Sequence, residues 1–221
     1  MGEMVDFKSN GHTCAGYIAG SGPGVLVIQE WWGLVPHIKD VVDRFAIAGF
    51  TALAPDLYHG AASTESDGAG KLMMAMNLAQ AGKDLSGGVD LLQERSGSKK
   101  VGVVGYCMGG ALALVIAAQR PDAIVACAPY YGVIGWEAAH PDWSAITGKI
   151  VGEYAEDDNS AGPEAVRALE SKLRDLGKDV TMHIHSGARH AFFNETRPEV
   201  YSAADAAEAW DRTVGLFHEM L

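Results

Sequence analysis

The sequence has few basic side chains and no long apolar run. Of its 221 residues, 17 are Lys or Arg and 28 are Asp or Glu, which gives a formal net charge of −11. This excess of negative charge argues against nucleic acid and against anionic membranes as partners. The chain also lacks the roughly 18 consecutive apolar residues of a membrane-spanning helix, and residues 1–6 lack the basic and apolar regions of a secretion signal. We therefore expect a cytoplasmic protein.

Cysteine is also scarce, with only Cys14, Cys107 and Cys127. Three cysteines without regular spacing do not form a disulfide framework, so free thiols in a reducing compartment are expected. Cys127 lies in an apolar run and Cys14 in a short alternating segment, where a thiol packs as a small hydrophobe. Cys107 has a different setting, which is described below.

The chain is long enough to bury one substantial core, since 48% of its residues are hydrophobic. A single domain over residues 1–221 is the simplest organisation for an α/β protein of this length. Apolar and β-branched runs predict strands over residues 4–8, 14–19, 24–29, 51–56, 100–105, 123–128, 149–154 and 180–185. Helical periodicity predicts helices over residues 36–48, 69–81, 85–94, 111–120, 163–176 and 203–220.

The character of the strands predicts how they are arranged. The first two are short, partly polar and joined by Asn10-Gly11, which is typical of an antiparallel hairpin. The later strands are continuous apolar runs, which is typical of central strands covered on both faces. The sequence thus predicts an α/β fold with a mostly parallel sheet, an antiparallel N-terminal edge and helices on both faces. Residues 60–68 are small and polar without periodicity, which indicates a mobile loop.

Cys107 follows a β-branched run and precedes a helix of small residues. The turn reads Gly-Tyr-Cys-Met-Gly-Gly over residues 105–110. A strand-to-helix turn with glycines on both sides is typical of a nucleophile elbow, here with sulfur in place of oxygen. Such a turn lifts the side chain out of the sheet and directs nearby backbone N–H groups toward a shared anion site. Cys107 is therefore our candidate nucleophile for acyl transfer.

An elbow nucleophile needs an acid and a histidine later in the chain, each at the end of a strand. His190 follows the last predicted strand, and its imidazole can accept the thiol proton. Asp157 and Asp158 both follow the strand over residues 149–154. We favour Asp158 as the acid, while either carboxylate could instead cap the helix that begins at Pro163.

Two other groups have chemical potential. His183, His185 and His190 have a spacing that could bind a metal, although alternating polar residues on one strand face more often contact solvent. Glu30 ends a buried strand, where the ligand crevice of an open α/β sheet lies, and burial there would raise its pKa. The N–H groups of Trp31 and Met108 are the candidate oxyanion hole.

Four stretches resemble the dienelactone hydrolase family of α/β-hydrolases. They are Gln-Glu-Trp-Trp-Gly-Leu at residues 29–34, Ala-Pro-Asp-Leu-Tyr at 54–58, the elbow at 105–110, and Gly-Ala-Arg-His-Ala-Phe at 187–192. The resemblance implies a hydrolase of carboxylic esters or lactones that needs no metal or organic cofactor. It also implies Cys107 as nucleophile, His190 as base and Asp158 as acid, the last because family members place the acid shortly before a helix start such as the one at Pro163.

The resemblance further implies that Glu30 hydrogen-bonds the resting thiol and deprotonates it when substrate arrives. Members that cleave dienelactone bind the substrate carboxylate with arginines, one of them shortly after the catalytic histidine. Here Asn194 stands at that place, and residues 58–78 contain no arginine. An amide does not replace the charge of a guanidinium, so Lys71, Arg197 or Arg189 would have to bind an anionic substrate. Five side chains are predicted to contact substrate: Trp32, Tyr58, Tyr131, Arg189 and Phe192.

The sequence thus predicts a thiol hydrolase that acts as a monomer or weak homodimer on a small ester or lactone. Two other functions remain open on the same residues. One is a redox-sensing or ligand-binding protein in which Cys107 is only oxidisable. The other is a metal-dependent hydrolase that uses His183, His185 and His190.

Overall fold

The computed structural model describes residues 2–135 and 140–221. Within these ranges it contains eight strands, six α-helices and a short 3-10 helix at Trp143–Ala145. The strands are β1 (Glu3–Ser9), β2 (His12–Ala19), β3 (Gly24–Ile28), β4 (Thr51–Pro55), β5 (Val101–Tyr106), β6 (Ile124–Tyr130), β7 (Lys149–Asp157) and β8 (Val180–Arg189). The α-helices are α1 (Pro36–Ile47), α2 (Ser66–Ala75), α3 (Leu78–Ser96), α4 (Met108–Gln119), α5 (Pro163–Asp175) and α6 (Ala203–Met220).

All eight strands belong to one sheet in the order β1-β2-β4-β3-β5-β6-β7-β8. Strand β2 pairs antiparallel with both β1 and β4, and the remaining neighbours pair parallel. This confirms the predicted mostly parallel sheet with an antiparallel N-terminal edge. Every residue of β3, β4 and β5 is buried, as expected from their continuous apolar sequences.

Helices cover both faces of the sheet, as predicted. Side chains that alternate along β3 contribute to different cores: Leu26 and Ile28 belong to one apolar cluster, and Val25 and Val27 to another. Helices α3 and α4 supply side chains to the first cluster, and α1 and α6 to the second. None of the described helices is long and apolar enough to cross a membrane.

Two predicted boundaries are wrong. A helix over 69–81 followed by another over 85–94 was expected, but the structure breaks the helix earlier, between α2 and α3. Asn77 explains this, because its side chain accepts a hydrogen bond from Gln80 N at 3.1 Å and caps α3. Gly82 lies inside α3, where an added Cβ would lie 3.1 Å from the Gln119 side chain. The expected loop over 60–68 is also too long, since α2 begins at Ser66.

Candidate active site

Cys107 lies between β5 and α4 in a conformation that few residues with a side chain adopt. Its φ is 56° and its ψ is −117°. The flanking glycines are required by contact: a Cβ at Gly105 would lie 2.0 Å from the Gly109 oxygen, and one at Gly109 would lie 2.4 Å from the Ile28 oxygen. The Cys107 thiol is free and partly exposed to a cavity. The predicted elbow geometry is therefore present.

His190 and Asp158 meet at the ends of β8 and β7. The His190 Nδ1 and the Asp158 Oδ2 are 2.6 Å apart. The other oxygen, Asp158 Oδ1, accepts hydrogen bonds from the N–H groups of Ser160 at 2.7 Å and Ala161 at 3.0 Å. The Asp158 side chain is fully buried, whereas His190 also lines the cavity that contains Cys107. The Asp158 carboxylate thus binds Nδ1 of the His190 ring, and the other ring nitrogen, Nε2, takes no part in this pair.

The environment of His190 favours its protonated form. Burial lowers the pKa of the ring, but the hydrogen bond to Asp158 and the proximity of Cys107 raise it by more, so that the pKa is about 10. For Asp158 the signs are reversed: burial raises the pKa of the carboxyl, and His190 with the two backbone N–H groups lowers it below its ordinary value. The pair is therefore charged at neutral pH. An imidazolium beside a thiol can stabilise a thiolate and protonate a leaving group.

The structure separates the two adjacent aspartates that the sequence left open. Asp157 is exposed and faces Arg189, with 3.6 Å between Oδ2 and Nε. Asp158 turns inward to His190. Only Asp158 is therefore in position to orient the imidazole.

Glu30 is buried beside the cavity and has a neutral partner. Its side chain is almost inaccessible, with 1% of the residue exposed. Its Oε2 accepts a hydrogen bond from Asn194 Nδ2 at 2.8 Å. Burial raises the pKa of Glu30, and the opposing effects of His37 and Asn194 do not cancel this shift. The expected raised pKa is thus present, and the partner of Glu30 is Asn194, the amide that the sequence analysis found in place of an arginine.

The candidate oxyanion donors lie at the same cavity. Trp31 follows β3 by way of Glu30, and Met108 is the first residue of α4, and both line the cavity with Cys107. Neither backbone N–H forms a backbone hydrogen bond with another described residue outside the helices and strands. Two N–H groups of this kind, one of them at a helix N-terminus, are suited to bind a developing negative charge.

The cavity has a volume of about 770 Å³ and extends well beyond the thiol. Its far wall is apolar and comes from α2, α3 and α4, which the sequence analysis did not assign to the site. The side chains that form it are Met73, Met74, Met76, Leu78, Leu85, Leu112 and Val115. Two sequence signals could have found them: the cluster of three methionines within residues 73–76, and the apolar residues at helical spacing after Cys107.

The five predicted substrate contacts have different positions. Trp32 and Tyr131 line the cavity. Tyr58 is outside its lining, although its hydroxyl lies 3.5 Å from the Met108 sulfur. Phe192 is fully buried, packs against His185 and does not line the cavity. Arg189 is also outside, because its guanidinium bonds the Glu199 carbonyl at 3.2 Å and faces Asp157 instead. The last two positions do not fit the predicted contact with substrate.

The predicted candidates for a substrate cation are not free in the cavity. Arg197 lines it, but its Nε lies 3.0 Å from Glu199 Oε1 and its guanidinium lies over the Trp32 ring at 5.8 Å. Lys71 is not part of the lining. The charge of Arg197 is therefore already compensated.

The structure does not bring the three histidines of the possible metal site to one point. His185 is held between Glu153 Oε2 at 2.8 Å and Asp205 Oδ1 at 3.0 Å, and His190 is held by Asp158. Arg212 also bonds Glu153, at 2.8 Å from its Nε. His185 thus belongs to a buried ionic network, separate from the pair at the cavity.

A second group of one cysteine, one histidine and one aspartate lies elsewhere in the described chain. Ligand atoms of Cys14, His59 and Asp84 lie within 4.8 Å of one another. His59 Nε2 approaches Asp84 Oδ2 at 3.1 Å, while Asp84 Oδ1 accepts from Gln80 at 2.9 Å and from Ser9. We call these three residues the Cys14 cluster. Burial, followed by Asp84 and Asp56, raises the pKa of the Cys14 thiol to about 12.

Comparison with known proteins agrees with the predicted fold and family. The "Protein usf" of Aquifex pyrophilus is 40% identical, and a protein of Aquifex aeolicus provisionally named a carboxymethylenebutenolidase is 37% identical; each alignment covers 100% of both chains. A crystal structure of a provisionally assigned dienelactone hydrolase from Klebsiella pneumoniae superimposes with a TM-score of 0.89 at 24% identity, covering 99% of this chain and 98% of that one. Residues 14–221 match the family described as "Dienelactone hydrolase family". The chain therefore belongs to the dienelactone hydrolase family of α/β-hydrolases.

Proposed function

We propose that this protein hydrolyses a carboxylic ester or lactone with Cys107, His190 and Asp158 as a catalytic triad and a thioester as intermediate. The observation that carries the proposal is the position of His190. Its ring is bonded to Asp158 on one side and lines, together with Cys107, a cavity of ligand size on the other. Family membership supports the reaction class, and the elbow geometry supports the nucleophile.

The first half-reaction transfers the acyl group to sulfur. His190 is already protonated, so the Cys107 thiol gives its proton to Glu30, and the thiolate, stabilised by the imidazolium, attacks the carbonyl carbon of the substrate. The carbonyl oxygen becomes negatively charged and accepts hydrogen bonds from the N–H groups of Trp31 and Met108. The carbon–oxygen ester bond then breaks, and the imidazolium gives its proton to the departing alkoxide. The products of this step are an alcohol and an S-acyl group on Cys107.

The second half-reaction returns the free thiol. A water molecule loses a proton to His190 and attacks the thioester carbonyl, which is stabilised by the same two N–H groups. The carbon–sulfur bond breaks, and the thiolate recovers its proton from Glu30, while His190 keeps the proton taken from water and is again an imidazolium. Asp158 stays ionised throughout and keeps the ring in one orientation. A lactone would give one hydroxy acid, because its acyl and alcohol groups remain joined.

Glu30 serves in this proposal as a proton acceptor that responds to substrate. Its burial raises its pKa, which makes the carboxylate a stronger proton acceptor than an exposed glutamate. Its bond to Asn194 provides a position for the carboxylate that does not involve the thiol. A Glu30 carboxylate that bonds either Asn194 or the Cys107 thiol would link activation of Cys107 to occupation of the cavity. This link would protect the thiol from oxidation.

The proposal is tested by trapping the intermediate. Mixing the protein with excess p-nitrophenyl acetate and quenching in acid should add one acetyl group to the peptide that contains Cys107, as measured by mass spectrometry. In His190→Ala the acetyl group should form roughly a thousandfold more slowly, since the thiolate loses the imidazolium that stabilises it.

Two outcomes would contradict the proposal. Turnover without acetylation of Cys107, abolished by a chelator, would favour the metal-dependent alternative. If His190→Ala retains both turnover and labelling, the Cys107 thiol reacts without a triad, as the thiol of a redox-sensing protein does. The cytoplasmic location and the monomer or weak homodimer stay predictions, which cell fractionation and sedimentation velocity would check.

A further inference from the structure

The cavity follows one face of helix α4 away from the nucleophile. Five residues of α4 line it, at the spacing of successive helical turns: Met108, Ala111, Leu112, Val115 and Gln119. A helix rises about 1.5 Å per residue, so the twelve steps from Cys107 to Gln119 span about 18 Å. The lining of the cavity therefore extends for about 18 Å along α4, from Cys107 to Gln119.

The opposite wall comes from the end of α2 and the beginning of α3. It contains Met73, Met74, Met76 and Leu78, with Leu85 deeper along α3. Methionine side chains are unbranched and adapt to the shape of an apolar ligand. A groove between this wall and α4 is suited to a flexible, unbranched chain more than to a compact ring.

The charged residues of the lining are confined to three side chains. Glu30 is bonded to Asn194, His190 to Asp158, and Arg197 to Glu199. The wall that α2, α3 and α4 form has no charged residue among those described, and Gln119 is its polar member. A carboxylate placed along this wall would lose water without gaining a cation.

Part of the apolar wall is exposed to solvent in the unliganded protein. Leu78 is 47% exposed and Met74 is 76% exposed. Covering such side chains with a hydrocarbon removes apolar surface from water on both partners, which is favourable. The continuity of this wall with Cys107 identifies the occupant as part of the substrate itself.

We infer that the substrate is a neutral ester or lactone with an unbranched hydrocarbon chain that lies along α4. This inference rests on the proposed function, because it takes Cys107 as the point of attack. The hydrocarbon chain belongs to either the acyl group or the alcohol group of the substrate. An apolar groove binds both kinds of chain through the same contacts. The groove thus selects for length and neutrality rather than for a carboxylate.

The experiment uses two homologous series with the wild-type protein. One series is p-nitrophenyl acetate, butyrate, hexanoate and octanoate, and the other is methyl, butyl, hexyl and octyl acetate. We expect kcat/KM to rise by roughly fourfold per methylene in one of the two series, the value given by burial of a CH₂ group. The series that rises shows which half of the ester occupies the groove. A flat or falling response in both series would overturn the inference.

The effect of charge on the substrate is tested with two esters whose acyl chains have the same length. Mono-p-nitrophenyl suberate carries a terminal carboxylate on a chain as long as octanoate. We expect its kcat/KM to be at least about tenfold below that of the octanoate, because no free cation meets the carboxylate. Equal or faster turnover of the suberate ester would contradict the neutral preference.

The groove is tested with one variant and a matched control. Val115→Trp places an indole in the groove two turns from Cys107 and should reduce the ratio of long-chain to acetate kcat/KM by roughly tenfold. The control is Ile47→Trp, an 87% exposed position on α1 outside the cavity lining, which should keep the wild-type ratio. An unchanged ratio in a folded Val115→Trp protein would overturn the proposed groove.

A second variant guards against misfolding of the first. Leu78→Asp introduces a charge into the groove at the first residue of α3, where an acidic residue favours the helix dipole. It should reduce the same ratio. A wild-type protein that shows no dependence on chain length while Cys107 is still acetylated would refute the groove alone, whereas absence of acetylation on every ester would refute the proposed function.

Discussion

Two groups of one cysteine, one histidine and one aspartate lie in the described part of the chain, and they differ in burial and in hydrogen bonding. At the elbow, Cys107 is partly exposed, and the buried Asp158 has all its contacts directed to His190 and two backbone N–H groups. In the Cys14 cluster the cysteine is the buried member: the thiol is fully buried, and the His59 side chain is 46% exposed.

The hydrogen bonds differ as much as the burial. Asp158 Oδ2 accepts from His190 at 2.6 Å, whereas Asp84 Oδ2 accepts no hydrogen bond although His59 lies 3.1 Å away. The comparison teaches that the three residue types are not sufficient for a triad. The nucleophile must face a cavity, and the histidine must be oriented by an acid and directed at the nucleophile.

The largest contrast is expected from removal of each thiol. Cys107→Ala should reduce kcat for p-nitrophenyl ester hydrolysis by roughly a thousandfold or more, since no other group can form the acyl intermediate. Cys14→Ala removes a thiol of the same type and should leave kcat within about twofold of wild type. Steady-state assays of both purified variants measure the difference. A comparable loss in Cys14→Ala would mean that the elbow is not the reacting centre.

The next contrast concerns the acids. Asp158→Asn should lower kcat by roughly a hundredfold to ten-thousandfold, because an amide cannot support the imidazolium. The neighbouring exposed Asp157→Asn is the matched control and should retain activity. If Asp157→Asn is the inactive variant, the assignment of the acid is reversed.

Asp158→Asn should also change how stability depends on pH. The His190 pKa is raised from 6.5 to about 10, so the charged pair stabilises the fold fully below about pH 6.5 and loses this effect as pH rises through about 10. In Asp158→Asn the pKa of His190 should fall, and urea unfolding midpoints should vary less between these pH values. A direct NMR titration of the imidazole checks the shift, and an unchanged titration would contradict it.

Alkylation provides a third contrast, between the three thiols. At pH 8 a thiol with a pKa of about 12 is thiolate in about one molecule in ten thousand, so Cys14 should be nearly inert to iodoacetamide. Burial raises the pKa of Cys127 as well. Cys107 should therefore be the residue modified in the native protein, as peptide mass spectrometry would show. Equal labelling of Cys14 in the folded protein would contradict the comparison.

The smallest effect on activity is expected from Asp84. Asp84→Ala leaves the buried Ser9 hydroxyl and Gln80 amide without their acceptor, which should cost about 1–3 kcal/mol in the free energy of unfolding. Turnover should be retained, because the Cys14 cluster does not line the catalytic cavity. Urea denaturation and an esterase assay on the same preparation separate the two effects. A catalytic defect in a stable Asp84→Ala protein would join the two regions functionally.

Much of the fold could be predicted because its local signals agree with its tertiary structure. Buried parallel strands have uninterrupted apolar sequences, and Asn10-Gly11 marks the hairpin at the edge. The break at Asn77 was missed because it depends on a single capping bond within a small, weakly periodic segment. Gly82 lies inside α3, and its missing side chain allows α3 to approach Gln119 of α4.

The nucleophile and histidine of the candidate site could be placed from the sequence because each follows a recognisable strand at a turn. The choice between Asp157 and Asp158 could not be derived from the residues alone, since it depends on which side chain turns inward. The direction of the Arg189 side chain could not be predicted either, because a long side chain next to His190 can reach either the cavity or Asp157. The apolar wall was missed because it is assembled from three helices.

The backbone of Cys107 has a thermodynamic consequence for the whole molecule. A residue with a side chain at φ 56° and ψ −117° costs on the order of 1–3 kcal/mol relative to one in a relaxed conformation. Since domains of this size are only about 5–15 kcal/mol more stable than their unfolded chains, one residue uses a visible part of that margin. Glycine would adopt this conformation at position 107 at a lower free-energy cost, but it has no thiol. Under the proposed mechanism, activity and stability are therefore opposed at this one position.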